Sequence, residues 1–220
     1  MRLQFQDRPE MGQPPGTSPR ERDASACSAV GQPQVSRKPV TYADYAALDD
    51  GKRYQVFSGM LVAEPAPTTF HQQVVMNLSY LLRSHTSQSA VGGVLLASPV
   101  DVILDPTEQI EVLQPDIVWV SRARMEIVKK AAIFGAPDLV VEVLSPSNAR
   151  RDRQEKVLRY RRFGVPHIWV LDPEDRTFEE TVRVGEAYGV VGLYRDVDIV
   201  RPRCFPQLAL PLSEVWQPYT

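Results

Sequence analysis

An acidic residue interrupts each of two apolar, strand-like segments of this chain. Asp116 lies in QPDIVWV, residues 114–120, and Glu142 lies in PDLVVEVLSPS, residues 137–147. An ionised carboxylate is costly to bury unless it is paired or binds a metal. One acid in each of two predicted strands therefore indicates that both acids belong to one functional site. We predict a divalent-metal site there, of the kind that hydrolyses phosphodiesters.

Asp138 competes with Asp116, because the pair Pro137-Asp138 repeats the pair Pro115-Asp116. Asp138 and Glu142 are four residues apart on one predicted strand, which separates them by roughly 13 Å. The ligands of a hard cation place their oxygens only about 2.0–2.6 Å from it. The spacing therefore favours Asp116, which lies on a different strand and can stand beside Glu142. The alternative is that both acids are edge or turn residues that face water.

The composition excludes several classes of protein. Hydrophobic residues make up 43% and charged residues 24% of 220 residues, which is ordinary for a globular domain with its own core. No apolar run is long enough to span a bilayer, and the first residues lack the apolar segment of a secretory signal. Cys27 and Cys204 lie far apart and indicate neither a disulfide scaffold nor a cysteine-based zinc site. The cytoplasm is the expected location.

The first 38 residues differ in composition from the rest of the chain. They are rich in Pro, Gly, Ser, Arg and Gln and lack a periodic apolar pattern, which predicts a disordered tail before one domain over residues 39–220. The tail holds six of the 25 Lys and Arg and four of the 27 Asp and Glu. The domain therefore has 19 basic and 23 acidic residues, a net charge of −4. Contact with nucleic acid would need a local basic patch.

The order of the predicted elements favours an α/β (α+β) fold, with helices first and then a mixed sheet that contains one crossover helix. Apolar periodicity and turn residues predict the following elements: a short capped helix after Thr41, a hairpin over 53–63 with its turn at Ser58-Gly59, a helix over 69–84, one or two strands in 94–104, strands at 115–120 and 138–144, a helix over 150–163 ended by Gly164, a strand at 167–172, and a β-meander over 177–183, 187–194 and 197–200.

The helix over 150–163 is strongly basic, with seven basic and two acidic residues. Asp152, Lys156 and Tyr160 share one face of it, because their spacing is i, i+4, i+8. A lysine aimed at a metal site could stabilise the charge that develops on a phosphate. The alternative is a surface ion pair between Asp152 and Lys156, worth about 0.3–0.5 kcal/mol. The helix also carries the candidate phosphate-binding arginines, for which a solvated face is the alternative: Arg150, Arg151, Arg153, Arg159, Arg161 and Arg162.

Other residues with reactive side chains carry weaker signals. His71 begins the helix over 69–84 and could bind a metal or a phosphate, although a capping or packing role is more common for a single histidine. His167 adjoins an apolar strand and is expected to be structural. Ser145 lacks the G-x-S-x-G context of a serine hydrolase, and the chain contains no P-loop or dinucleotide-binding glycine pattern.

Four segments together resemble a known family. They are P-D-I-V-W-V, P-D-L-V-V-E-V-L-S-P-S, R-D-R-Q-E-K and Y-R-R-F-G-V-P-H-I-W-V-L-D-P. This set resembles the Uma-type family of restriction-endonuclease-like proteins, within the PD-(D/E)xK nuclease superfamily, from about residue 40 onwards and most specifically over 137–173. The resemblance implies a restriction-endonuclease-like core, a mixed sheet flanked by helices. It also implies Mg²⁺- or Mn²⁺-dependent cleavage of DNA, with Asp116 and Glu142 as the metal-binding acids, and homodimers are common among such nucleases.

The chain departs from the family pattern at three positions. The superfamily places a lysine two residues after the second acid, where this chain has Leu144, and Lys156 is the expected replacement. The family hairpin reads Y-E-x-x-D-G, whereas Gln55 and Ser58 stand here in place of both acids. Gln55 could still coordinate a metal through its carbonyl oxygen. His71 matches a histidine with which the family begins its helix.

These departures leave three functions open. The first is an active metal-dependent endonuclease in which Asp116, Glu142 and Lys156 are catalytic. The second is an inactive module of the same fold that binds nucleic acid or a protein partner, and the third is a protein-interaction domain whose basic helix binds an acidic partner. A steep loss of DNA affinity with added salt would distinguish the second function from the third.

Overall fold

Residues 38–88, 92–145 and 150–218 are described by this computed structural model, and the side chains of residues 88 and 150–153 are not among those described. The predicted tail lies outside these residues except for Lys38. The helices are α1 (Tyr42–Ala46), α2 (Thr69–Gln88), α3 (Arg150–Arg162) and α4 (Leu212–Val215), and a 3-10 segment covers Arg122–Ile127. The strands are β1 (Tyr54–Phe57), β2 (Met60–Ala63), β3 (Val94–Ala97), β4 (Val102–Ile103), β5 (Val112–Leu113), β6 (Ile117–Val120), β7 (Ile133–Phe134), β8 (Leu139–Val143), β9 (His167–Asp172), β10 (Thr177–Val184), β11 (Ala187–Arg195), β12 (Ile199–Val200) and β13 (Leu210–Pro211).

Two mixed sheets organise the described part of the chain. The larger has the strand order β11-β10-β9-β8-β6-β3, in which only the pair β8–β9 is parallel. The smaller has the order β2-β1-β5-β4-β7, in which only β4–β7 is parallel. Strands β12 and β13 form a separate antiparallel pair. Residues 114–116 connect β5 in the smaller sheet with β6 in the larger one, so the chain crosses from one sheet to the other at Asp116.

Strand β8 lies inside the larger sheet and is buried on both faces. Its five residues LVVEV are all buried, as expected for a parallel-paired central strand. Leu139, Val141 and Val143 pack on one face with the apolar side of α2. Val140 packs on the opposite face with Tyr160 of α3. Because side chains alternate along a strand, Glu142 shares the face of Val140 and is directed toward α3.

Local sequence accounts for the ends of the predicted helices. Thr41 caps α1 through a reciprocal capping box with Asp44, as the sequence predicts. At the start of α2 the hydroxyl of Thr68 accepts the backbone N–H of His71 at 3.2 Å. Gly164 follows α3 with a φ of +78°, a left-handed conformation that ends helices and favours glycine. The predicted hairpin turn at Ser58-Gly59 is confirmed between β1 and β2.

The mixed α/β fold flanked by helices is confirmed, but two details of the prediction were wrong. The single predicted sheet is two mixed sheets and a strand pair, and residues 199–200 pair with β13 and not with the meander. Residues 94–104 form two strands, which agrees with the prediction of one or two strands, and these two belong to different sheets. The smaller sheet was missed because β4, β5 and β7 have only two residues each, which is too short to show a period-2 pattern. Among the described residues, no helix is both long and apolar enough to cross a membrane.

Candidate active site

Asp116 and Glu142 meet where β6 and β8 run side by side. Ile117, the first residue of β6, pairs with Val141 in the antiparallel register, so Asp116 just before β6 lies near Glu142, the residue after Val141. The backbone N–H of Asp116 donates to the carbonyl of Val141 at 3.0 Å. The pairing of two neighbouring strands therefore brings together two acids that are far apart in the sequence.

The carboxylate of Asp116 is held by groups on both sides of it. Its Oδ2 accepts the backbone N–H of Val143 at 2.7 Å and lies 3.3 Å from Nε2 of His71. Burial lowers the pKa of His71, but the hydrogen bond to Asp116 and the charge of that carboxylate outweigh burial and raise the pKa above its usual value. His71 therefore orients Asp116 from the first turn of α2.

Glu142 is buried, and both of its oxygens accept hydrogen bonds from α3. Lys156 Nζ lies 3.1 Å from Oε2, and the hydroxyl of Tyr160 donates to Oε1. Burial raises the pKa of Glu142 to about 7, against the opposing effect of the Lys156 charge. Burial also raises the pKa of Tyr160 well above its usual value, so its hydroxyl remains a donor. Only a carboxylate with two well-placed donors is stable in such a position.

Lys156 enters the site from α3 and is not a surface residue. Its side chain is 8% exposed, and Nζ also donates to the backbone carbonyl of Gln114 at 3.4 Å. Burial lowers the pKa of Lys156, but the charges of Glu142 and Asp116 outweigh burial and raise it. The side chain of Asp152, the alternative partner for Lys156, lies outside the described residues.

The acids open onto a small cavity of about 50 Å³. By this measure the cavity has room for a few water molecules, which suits a hydrated ion. The lining residues are Arg53, Glu64, Pro65, Pro67, His71, Gln72, Ser98, Gln114, Asp116, Glu142, Val143, Leu144, Ser145 and Lys156. Arg53 and Glu64 line this cavity but were not predicted as site residues from the sequence. The one signal for Glu64 was its place between a predicted hairpin strand and a proline.

The donor set suits one kind of metal and not another. Among the described residues, no group of three or more His, Cys, Asp and Glu side chains could hold a metal ion, which excludes a protein-ligated zinc cage there. Mg²⁺ is usually held through one or two carboxylates, with waters and substrate phosphates as its other ligands. Asp116 and Glu142, which line one cavity, are the residues that could hold Mg²⁺ or the similar Mn²⁺ in this way.

Comparison with known proteins places the chain in a family. The family model Uma2, described as "Putative restriction endonuclease", matches residues 41–213. The chain belongs to the Uma2 family. The match covers α1 through the start of α4, and therefore includes all the strands and every residue of the cavity.

A solved structure supports the same fold. The chain resembles the crystal structure of a protein from Anabaena variabilis that is described as a putative nuclease belonging to DUF820. The TM-score is 0.64 at 17% sequence identity, and the match covers 81% of this chain and 98% of that chain. No curated protein matches this chain. The family and the fold together make this a nuclease-type domain.

The two departures from the family hairpin have different structural contexts. Gln55 is completely buried, and its Oε1 accepts the backbone N–H of Gln114 at 2.8 Å. Ser58 does not line the cavity, and its hydroxyl donates to Glu111 at 2.7 Å. Glu111 is itself buried and pairs with Arg159 Nε at 3.1 Å. The Ser58 position therefore belongs to a structural ion-pair cluster and not to the cavity.

The candidate phosphate-binding arginines are only partly described. The side chains of Arg150, Arg151 and Arg153 lie outside the described residues. Arg159 pairs with Glu111 and stacks over the ring of Phe57, with its guanidinium carbon 4.5 Å from the ring centroid. The guanidinium that does line the cavity belongs to Arg53, which donates to Ser98 and Gln114 at 3.1 Å.

The competing acid Asp138 has a different environment from Asp116. Its Oδ2 accepts the backbone N–H of Ser121 at 2.8 Å, and its Oδ1 pairs with Arg124 at 3.1 Å. Asp138 does not line the cavity. The identical Pro-Asp dipeptide thus has a structural role at the start of β8.

Asp138→Asn is therefore expected to keep any metal-dependent activity and to lower stability by about 1–2 kcal/mol. The asparagine retains the size of the side chain but weakens two hydrogen bonds, one of them to a charged group. Urea unfolding would give the change in free energy, and a cleavage assay would give the activity. Loss of activity in a folded Asp138→Asn protein would contradict the structural role assigned here.

Proposed function

We propose that this chain is a metal-dependent endonuclease that hydrolyses phosphodiester bonds, with DNA as its substrate. One observation carries the proposal: Asp116, immediately before β6, and Glu142, in the neighbouring strand β8, line one cavity, with Lys156 bonded to Glu142. Membership of the Uma2 family, described as "Putative restriction endonuclease", supports the same chemistry.

Asp116 and Glu142 would hold Mg²⁺ or Mn²⁺ through carboxylate oxygens. When bound, such an ion lowers the pKa of a coordinated water and neutralises charge on the phosphate. His71 and the N–H of Val143 hold Asp116 in its orientation, whereas Tyr160 and Lys156 do the same for Glu142. Because these partners come from α2, α3 and β8, both acids are fixed before a ligand arrives.

Lys156 has a second role besides orienting Glu142. Its ammonium is the buried positive charge of the cavity, and negative charge develops on the phosphate during phosphodiester hydrolysis. In the superfamily pattern this charge comes from the strand, two residues after the second acid, where this chain has Leu144. The 3.1 Å contact with Glu142 supports the proposal that Lys156 replaces it from α3.

Cations near the cavity suit a polyanionic substrate despite the negative net charge of the chain. Arg53 lines the cavity and could contact a phosphate oxygen. Arg150, Arg151 and Arg153 are at the start of α3, in the same helix as Lys156, and are proposed to bind the DNA backbone. A homodimer, which would allow cleavage of both strands, remains a prediction from the family resemblance.

A supercoiled-plasmid assay would test the proposed function. The wild-type chain would be incubated with Mg²⁺, with Mn²⁺, or with EDTA, and single-stranded DNA and RNA of matched length would be tested in parallel. Nicked plasmid with either metal and none with EDTA is the expected result. Absence of cleavage of every substrate with both metals would refute the proposal and favour the inactive binding module.

A further inference from the structure

Gln55, which is buried, and Glu64, which is partly exposed and lines the cavity, form a hydrogen-bonded pair. Nε2 of Gln55 donates to Oε1 of Glu64, while Oε1 of Gln55 accepts the N–H of Gln114. A side chain at position 55 must therefore accept a hydrogen bond on one side and donate one on the other. An amide has both groups, whereas a carboxylate has only acceptors when it is ionised. A glutamate at position 55 would place a second negative charge against Glu64.

The pair is connected directly to the catalytic candidates. Gln114 donates its N–H to Gln55 and accepts a hydrogen bond from Lys156 through its carbonyl. A continuous chain of hydrogen bonds thus links Glu64 through Gln55, Gln114 and Lys156 to Glu142. Glu64 lines the same cavity as Glu142 and is partly exposed, so its carboxylate is accessible from the cavity.

We propose that Glu64 is the third acidic residue of this site and that Gln55 fixes its carboxylate. This inference rests on the proposed function. Among the described residues, no group of three or more His, Cys, Asp and Glu side chains could hold one ion, so we assign Glu64 the role of a positioning residue. It holds water in the cavity and adds negative charge beside Asp116 and Glu142. A small divalent ion keeps several waters, and those waters need acceptors from the protein.

The contact with Glu64 gives the Gln55 departure a different meaning. A neutral residue at position 55 suggests a weakened site when it is considered alone. The structure shows that the same amide holds a carboxylate from the end of the hairpin at the cavity. The acid that position 55 lacks is present nine residues later, at position 64.

Isothermal titration of the full chain with Mn²⁺ would test Glu64 without relying on cleavage. Glu64→Gln is expected to weaken Mn²⁺ binding by about 10-fold or more, the range seen when an outer-shell partner is removed. The double variant Gln55→Glu/Glu64→Gln exchanges the amide and the carboxylate and keeps the number of charges. It is expected to recover part of the lost affinity. Glu186→Gln, at an exposed turn outside the cavity, is the matched control and should bind Mn²⁺ like wild type.

The outcomes separate this inference from the proposed function. Wild-type affinity in Glu64→Gln would overturn the role of Glu64, even if the chain cleaves DNA. Weaker Mn²⁺ binding in Glu64→Gln together with no cleavage by wild type would support Glu64 and refute the nuclease. No Mn²⁺ binding by wild type would overturn both. Urea unfolding in EDTA checks that each variant is folded. If Glu64→Gln and the double variant lose the same stability and the double variant recovers no Mn²⁺ affinity, the pair is purely structural and the inference is overturned.

Discussion

Glu142→Gln is expected to reduce metal-dependent cleavage by more than about 100-fold. Outer-shell partners of metal ligands contribute about 10- to 100-fold to activity, and a residue that holds the metal itself should exceed that range. Glutamine keeps the length of the side chain and its Oε1 can still accept a hydrogen bond from Lys156 or Tyr160. The substitution therefore removes the charge and little of the packing. A plasmid-nicking time course with Mg²⁺ and Mn²⁺ would measure the loss.

Asp116→Asn provides an independent test of the same site. The Asp116 side chain is partly exposed and lies outside the buried Glu142–Lys156 pair, so its replacement should disturb folding less. We expect a comparable loss of cleavage and of Mn²⁺ affinity. The matched control is Asp138→Asn, which makes the same change in the same Pro-Asp context. Wild-type cleavage by both folded Asp116→Asn and Glu142→Gln would remove these acids from the mechanism.

Lys156→Met is expected to lower the free energy of unfolding by about 3–5 kcal/mol. Removing one member of a buried ion pair leaves the other charge without compensation, and this loss is larger than the net contribution of the pair. Here the remaining group is Glu142, with only Tyr160 still donating to it. Urea unfolding in EDTA would measure the change without interference from bound metal.

A double variant distinguishes an uncompensated charge from simple loss of packing. Glu142→Gln/Lys156→Met removes both charges, and we expect it to be more stable than Lys156→Met alone. Lys130→Met is the surface control, because Lys130 is exposed, and it should change stability by no more than about 0.5 kcal/mol. Equal stability of the double variant and Lys156→Met would contradict the ion-pair explanation. In either case Lys156→Met should cleave DNA more slowly if Lys156 stabilises the charged phosphate.

The predicted basic helix shows why residue type alone does not identify a binding surface. From the sequence, Lys156 and Arg159 are equivalent members of one cationic segment. In the structure Lys156 is directed at Glu142, whereas Arg159 is directed at Glu111 and Phe57. Helical spacing places both residues on α3, but the partners depend on which strands pack beneath each face of it.

The two departures in the hairpin also show that residue type alone does not identify the role of a side chain. From the sequence, Gln55 and Ser58 are equivalent losses of acidic residues in one turn. The structure separates them, because Gln55 supports Glu64 at the cavity and Ser58 supports Glu111 in a different cluster. Glu111 could not be inferred from the hairpin, because it is 53 residues from Ser58 in the chain.

The sequence by itself determined the elements that carry the site and the two acids within them. A continuous apolar run defines β8, and helical spacing of apolar residues defines the buried face of α2. An acid within a buried apolar run must have a partner. The tertiary structure decided which residues meet: Asp116 with Glu142, Lys156 with Glu142, and Gln55 with Glu64. The physical reason is that periodicity reports on burial along one element, whereas hydrogen bonds and ion pairs depend on the register between elements.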